Sequence, residues 1–394
     1  MLPDKLFEVL QPVRVMFGQG QLSKLGDVAT PLGTRVCLVT MKELVDLGLV
    51  QPAIDLLKKS GLDVEVFDGV KPEPTCADVD AAADFIRQSS ADLIVAFGGG
   101  SVLDFAKALA IRATHPELIW SYVNLSNRPP LPIQPTVLPI IAIPTTSGTG
   151  AEVTPYAVLS NPETIQKGTI KSPTIFPKVA IVDPELTQGL PKTMTAATGI
   201  DAFAHALESY LNQANRTPFS DLVASEAMRT IVQSLPEVLV RPDDIHLRTN
   251  MAWGSLLAGL AITNAGTTVA HALAQPLGAR SHLPHSVTVS IFTVPVLRHT
   301  WEAALDRFDN LCTVLNPGVG QQLMSRHRAE KTVALVDELL TVTDMNHRLG
   351  NFSISPEQTQ GIVDDVFSYM SRPLAQHPKQ FSREEIQTII QEAA

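Results

Sequence analysis

Apolar and polar positions follow two different rhythms along this chain of 394 residues. In the first half, the continuous apolar runs Arg35-Val-Cys-Leu-Val-Thr40 and Leu93-Ile-Val-Ala-Phe97 predict strands buried on both faces of a parallel sheet. Residues 44–60 and 76–90 carry helical spacing, the second with Val79, Ala82, Ala83 and Ile86 three and four apart. A strand-helix-strand-helix order implies right-handed crossovers and a Rossmann-like, doubly wound parallel sheet. The rhythm changes over residues 121–191, where 12 of the 29 prolines favour strands, turns and loops over long helices. From about Lys192 helical spacing returns, over 195–213, 221–238, 247–262 and 286–315. The expectation is an α/β plus all-α protein, with a sheet domain over residues 1–188 followed by a helical domain over 189–394.

Composition narrows the function classes. Apolar residues make up 45% and charged residues 18%, a globular balance. Thirty basic against 40 acidic residues give a net charge of -10, and no basic run tracks a phosphate backbone, so nucleic acid is not expected as a partner. No uncharged apolar stretch reaches the roughly 18 residues of a membrane span, and the charged start Met1-Leu-Pro-Asp-Lys-Leu-Phe-Glu8 does not read as a signal peptide. Cys37, Cys76 and Cys312 lie far apart, outside any CxxC spacing, and suit a reducing compartment. The expected setting is the cytoplasm.

Two turns carry candidate ligand chemistry. After the strand ending at Phe97 comes Gly98-Gly-Gly-Ser101-Val-Leu-Asp104-Phe-Ala-Lys107, where glycines allow close backbone approach and a helix start favours an anion. Ser101 and Asp104 have the spacing of a capping pair. The second turn, Pro144-Thr145-Thr146-Ser147-Gly148-Thr149-Gly150-Ala-Glu152, follows an apolar run, at the strand edge where open α/β sheets bind ligands. Each segment taken alone also suits a turn without a ligand.

A metal signal lies further on. Asp201 and His205, four apart, share one helix face in an otherwise apolar segment. Downstream, His271 lies within a helical stretch and His285 follows a proline able to start the next. One carboxylate and three imidazoles suit iron(II) or zinc. Any one of these histidines alone also suits a core or surface role. His115, His246, His299, His327, His347 and His377 are scattered and read as surface or structural.

Taken together, these segments resemble the iron-containing alcohol dehydrogenases, whose fold is shared with glycerol dehydrogenase and dehydroquinate synthase. Besides the turns and ligand segments above, Phe17-Gly-x-Gly20, Asp68-Gly-Val-Lys-Pro-Glu-Pro74 and the tail from His377 to Ile386 carry the likeness, in the family's order. The resemblance implies metal ligation by Asp201, His205, His271 and His285, with iron(II) first and zinc second. It implies dinucleotide phosphates on Gly98, Gly99 and Ser101, with Asp104 near the nicotinamide. Thr145, Thr146 and Thr149 would line the adenine and phosphate channel, and Lys167 would reach the nicotinamide ribose. The implied activity is NAD(P)-dependent oxidation of a small primary alcohol or reduction of its aldehyde, by a homodimer or larger homo-oligomer. A dehydroquinate synthase-like carbon-oxygen lyase and a glycerol dehydrogenase-like polyol oxidoreductase are the alternatives.

Two positions depart from the family pattern. Met41 stands where many members carry an aspartate that disfavours NADP, and the adjacent Lys42 offers a positive charge, so both NAD and NADP stay open. Gln275 stands where many members have a histidine proposed to relay the alcohol proton; glutamine does not titrate, and the catalytic acid-base residue is left unassigned. Thr154, Tyr156, Thr267, Thr268, Arg280 and His282 flank the ligands as candidates for substrate contact.

Overall fold

The structure, a computed structural model, describes residues 6–318 and 323–394. The chain divides into two compact units. One comprises Gln11–Thr146 and Gly150–Gly189; the other takes Leu190–Ala394, the short stretch Ser147–Thr149 and the described residues up to Leu10.

The first unit is built on strands β1 (Arg14–Phe17), β2 (Arg35–Val39), β3 (Asp63–Phe67), β4 (Leu93–Gly98), β5 (Ile140–Pro144) and β8 (Val179–Val182). They form one six-stranded sheet in the order β1-β8-β5-β4-β2-β3, every pairing parallel, as the buried apolar runs predict. Strands β6 (Tyr156–Asn161) and β7 (Gln166–Lys171) make a separate antiparallel hairpin. Helices α1 (Leu25–Ala29), α2 (Lys42–Asp46), α3 (Gln51–Lys59), α4 (Cys76–Gln88) and α5 (Gly100–Thr114) connect the strands. The helix predicted over 44–60 is two helices, because Gly48 adopts a left-handed φ of 72° and ends α2. Strands β4 and β5 are neighbours with Gly98 paired to Pro144, so both glycine-rich turns leave the sheet side by side at its carboxyl edge.

The second unit is helical: α6 (Lys192–Leu211), α7 (Pro218–Val240), α8 (Ile245–Asn264), α9 (Val269–Ser281), α10 (His285–Arg298), α11 (Leu305–Leu315), α12 (Ser325–Val342), α13 (Pro356–Ser368), α14 (Ser371–Ala375) and α15 (Arg383–Glu392). The long helix predicted over 286–315 breaks after Arg298, where the Thr300 hydroxyl donates to the Val296 carbonyl at 2.6 Å and the chain tightens into a 3-10 turn at Trp301–Ala304. Phe203, Met228, Ile231 and Phe308 centre one apolar core of this unit, and Leu273, Phe292, Ile362 and Ile386 another. Gly148 belongs to this unit because a side chain would not fit: an added Cβ would stand 2.7 Å from the Thr198 Cβ on α6.

One buried charge organises the loop between β5 and β6. Lys107 of α5 has no exposure, and its ammonium donates to the carbonyls of Ala151, Thr154 and Tyr156 at 2.6, 2.9 and 2.8 Å. Burial lowers its pKa to about 8, opposed by Asp104 and Glu152. Lys107→Met is expected to leave those carbonyls without donors and to cost about 3 kcal/mol. The measurement is the urea unfolding midpoint, and an unchanged midpoint would show that the ammonium is replaceable.

Candidate metal and dinucleotide sites

Asp201, His205, His271 and His285 come together in the helical unit. One ligand atom from each lies within 4.8 Å of the others, three of the four residues being buried and His285 half-buried. Asp201 and His205 face the same way because they sit one turn apart on α6. His271 projects from the first turn of α9, and His285 is the first residue of α10, set by the preceding proline. Asp201 Oδ1 is buried and no donor reaches it among the described residues. His285 Nε2 and His205 Nε2 stand 3.8 and 3.9 Å away, too far for hydrogen bonds but spanned by two bonds of about 2.1 Å to one shared cation. Burial pushes the pKa of His205 down, with Asp201 opposing, which favours the neutral ring that a cation needs. The residues present fit a divalent metal.

Glu208, one turn beyond His205, supports the cluster without joining it. Its Oε2 lies 2.8 Å from His271 Nδ1 and also accepts the Thr268 amide at 2.8 Å. Its Oε1 accepts the amides of Ala270 and His271 at 2.6 and 3.2 Å. Burial opposes the charge of this carboxylate, but the His271 ring and the amides at the start of α9 outweigh it and hold its pKa below the ordinary value. An ionised carboxylate at Nδ1 fixes the proton there and leaves Nε2 as the donor of His271. Sequence reasoning gave Glu208 no role. Its signal was the spacing, seven after Asp201 and three after His205, which returns it to the ligand face of the helix.

In the sheet unit, the glycine turn departs from its expected detail. Ser101 and Asp104 do not cap α5: the N-cap is Gly99, in extended conformation, and no side chain bonds the helix start. Ser101 Oγ instead accepts the Glu73 amide at 3.3 Å and Asp104 Oδ2 the Val158 amide at 3.0 Å. The neighbouring α4 has a complete capping box from Thr75 and Asp78, so α5 is left open toward an anion where α4 is closed. Space at the turn is tight: a Cβ on Gly98 would clash with Val102 at 2.6 Å, and one on Gly99 would stand close to Thr146 at 3.3 Å. Burial raises the Asp104 carboxyl to about 6, with Lys107 and Lys167 opposing. Lys167, on β7, is buried and ion-paired with Glu73, which holds a left-handed φ of 54° between two prolines. Thr145 and Thr146 follow β5 in this unit, whereas Thr149 lies in the stretch that packs with the helical unit.

At the end of β2, Met41 bridges to Gly69. Lys42 beside it donates to Asp46 at 3.0 Å and lies in the field of Asp68 and Glu43, which together keep its pKa raised. Three flanking candidates have side chains already engaged: Arg280 with Asp365 at 2.6 Å, the Thr154 hydroxyl with Lys107 at 3.2 Å, and the Thr268 hydroxyl with His377 at 3.1 Å. His282 is exposed at the end of α9 in left-handed conformation, and Gln275 is buried one turn after His271.

Comparison with known proteins bears on both units. The family described as iron-containing alcohol dehydrogenase matches residues 12–184, and the C-terminal family of Fe-containing alcohol dehydrogenases matches residues 195–394. The chain is 35% identical over 377 residues to long-chain-alcohol dehydrogenase 1 of Geobacillus thermodenitrificans, covering 95% of this chain and 94% of that protein. It is 32% identical over 399 residues to the 1,3-propanediol dehydrogenase of Klebsiella pneumoniae, covering 99% of each. The crystal structure of an archaeal halo-thermophilic alcohol dehydrogenase from a Red Sea brine pool superposes with a TM-score of 0.93 at 30% identity, over 99% of both chains.

Replacing Glu208 by Gln is expected to weaken metal retention about 10- to 100-fold, since an amide cannot serve the helix amides and the His271 ring together. Competition with a coloured chelator reads this directly. Retention equal to the parent would remove Glu208 from the site.

Proposed function

Because the chain belongs to the iron-containing alcohol dehydrogenase family and is an alcohol dehydrogenase, we propose that Asp201, His205, His271 and His285 hold its iron(II) ion and that NAD is its dinucleotide. The substrate is then a small primary alcohol, or its aldehyde in the reverse direction. The observation that carries this reading is the buried convergence of one carboxylate and three imidazoles, with a carboxylate oxygen that no donor among the described residues reaches. Zinc suits the same donors but is the second choice.

Iron(II) held there would supply Lewis acidity toward an alcohol or carbonyl oxygen, and NAD would supply the hydride acceptor or donor. The chain's own residues do the rest. Glu208 keeps the proton of His271 on Nδ1 and so aims Nε2 at the cluster. Gly98, Gly99 and Ser101 offer the open start of α5 to the pyrophosphate, with Thr145, Thr146 and Thr149 along the adenine and phosphate channel. Lys167 and Asp104 serve the nicotinamide end. Gln275, buried one turn after His271, does not titrate, so the proton leaves by another group.

Charge supports NAD over NADP. Met41 carries no barrier to an added phosphate, but Lys42, the cation next to it in sequence, is already met by Asp46, Asp68 and Glu43. A homodimer through the edge strand β1 and a cytoplasmic setting complete the reading, the latter suiting three free cysteines. The family assignment favours hydride transfer over the carbon-oxygen lyase.

Chelator-stripped protein, reloaded without oxygen, is expected to turn over small primary alcohols with NAD only after iron(II) or zinc is returned, read at the reduced-nicotinamide band. His271→Ala should lose metal and turnover while keeping NAD affinity; full activity in that variant would overturn the ligand assignment. Met41→Asp should weaken NADP binding more than NAD binding, and an unchanged ratio would place the adenine ribose elsewhere.

A further inference from the structure

Thr268 stands at the N-cap of α9, yet its side chain makes no capping bond to that helix. An N-cap threonine ordinarily accepts from the second or third helical amide. Here those amides, of Ala270 and His271, go to Glu208 Oε1 instead. The Thr268 hydroxyl turns toward His377, with Oγ1 3.1 Å from Nδ1.

The direction of that bond follows from the next one. Thr300 donates its only hydroxyl proton to the Val296 carbonyl, so across the 2.9 Å between Thr300 Oγ1 and His377 Nε2 the ring nitrogen is the donor. Burial pushes the His377 pKa down to about 4, which keeps the ring neutral. A neutral ring protonated at Nε2 accepts at Nδ1, so the Thr268 hydroxyl donates to His377. The side chain that would compete with Glu208 for the start of α9 is thereby held facing away.

We propose that His377 is a positioning residue for the metal centre: it holds the Thr268 hydroxyl off the α9 amides, so that Glu208 keeps both those amides and His271 Nδ1. This deepens the metal reading above and rests on it. In a chain without the ring, the Thr268 hydroxyl turns to accept from Ala270 or His271, one oxygen of Glu208 loses its partners, and the orientation of His271 loosens. An asparagine at 377 has both functions of the ring within one amide, a donor for Thr300 and an acceptor for Thr268.

The test is the rate at which anaerobically loaded, full-length protein gives up iron(II) to a coloured chelator. His377→Phe is expected to release it about 10-fold faster than the parent, and His377→Asn to restore slow release. Thr268→Val, which has no hydroxyl to redirect, is expected to release iron at the parental rate, and adding His377→Phe to it should bring no acceleration. Parental release from His377→Phe, equal acceleration in the threonine and valine backgrounds, or fast release from Thr268→Val alone would each overturn the proposal. Thr268→Val keeps it testable if His377→Phe does not fold. A parent protein that takes up no iron would instead contradict the metal reading itself.

Discussion

The start of α9 is the constraint on which the metal centre depends. Glu208 and Asp201 are carboxylates inside a helical core, where an isolated charge is costly. For Glu208 the cost is offset by three helix amides and the His271 ring, so the helix dipole and a ligand's second nitrogen stabilise one anion together. For Asp201 no donor among the described residues reaches Oδ1, and the His205 and His285 rings stand beyond hydrogen-bond distance. One carboxylate is satisfied by the fold and the other is left for a cation. Although both lie on the same face of α6, Asp201 joins the three imidazoles in a cluster that could hold a metal ion, and Glu208 supports it from His271 Nδ1.

The sheet unit applies the same physics with the opposite sign. Two helix starts of this unit are finished differently: α4 closes its amides with Thr75 and Asp78, and α5 has no side-chain cap. At that start, Val102 occupies the space a side chain on Gly98 would need, and Thr146 crowds Gly99. Behind this turn the charges are locked in place, with Lys107 bound by three carbonyls and Lys167 by Glu73. A rigid, buried set of charges is the arrangement expected where a ligand must be oriented rather than merely attracted.

Much of this was legible in the sequence. Continuous apolar strands predicted the parallel sheet, and the shared helix face of Asp201 and His205, with His271 and the proline before His285, pointed to the four residues that the structure brings together. Hydrogen bonding across elements was not legible. Ser101 and Asp104 have the spacing of a capping pair but serve Glu73 and Val158, because tertiary partners outcompeted the local one. Glu208 and His377 went without roles because their partners lie 60 and more residues away. The helices predicted over 44–60 and 286–315 broke at a left-handed glycine and at a threonine hydroxyl bonding back to its own helix, both local events that hydrophobic periodicity does not register.

The central claim is that one carboxylate and three imidazoles of the helical unit hold the metal. X-ray absorption of the iron(II)-loaded protein tests it most directly. The account predicts a first shell of nitrogen and oxygen only, with the outer-shell scattering of several imidazole rings. A sulfur shell, or a first shell without imidazole scattering, would contradict it.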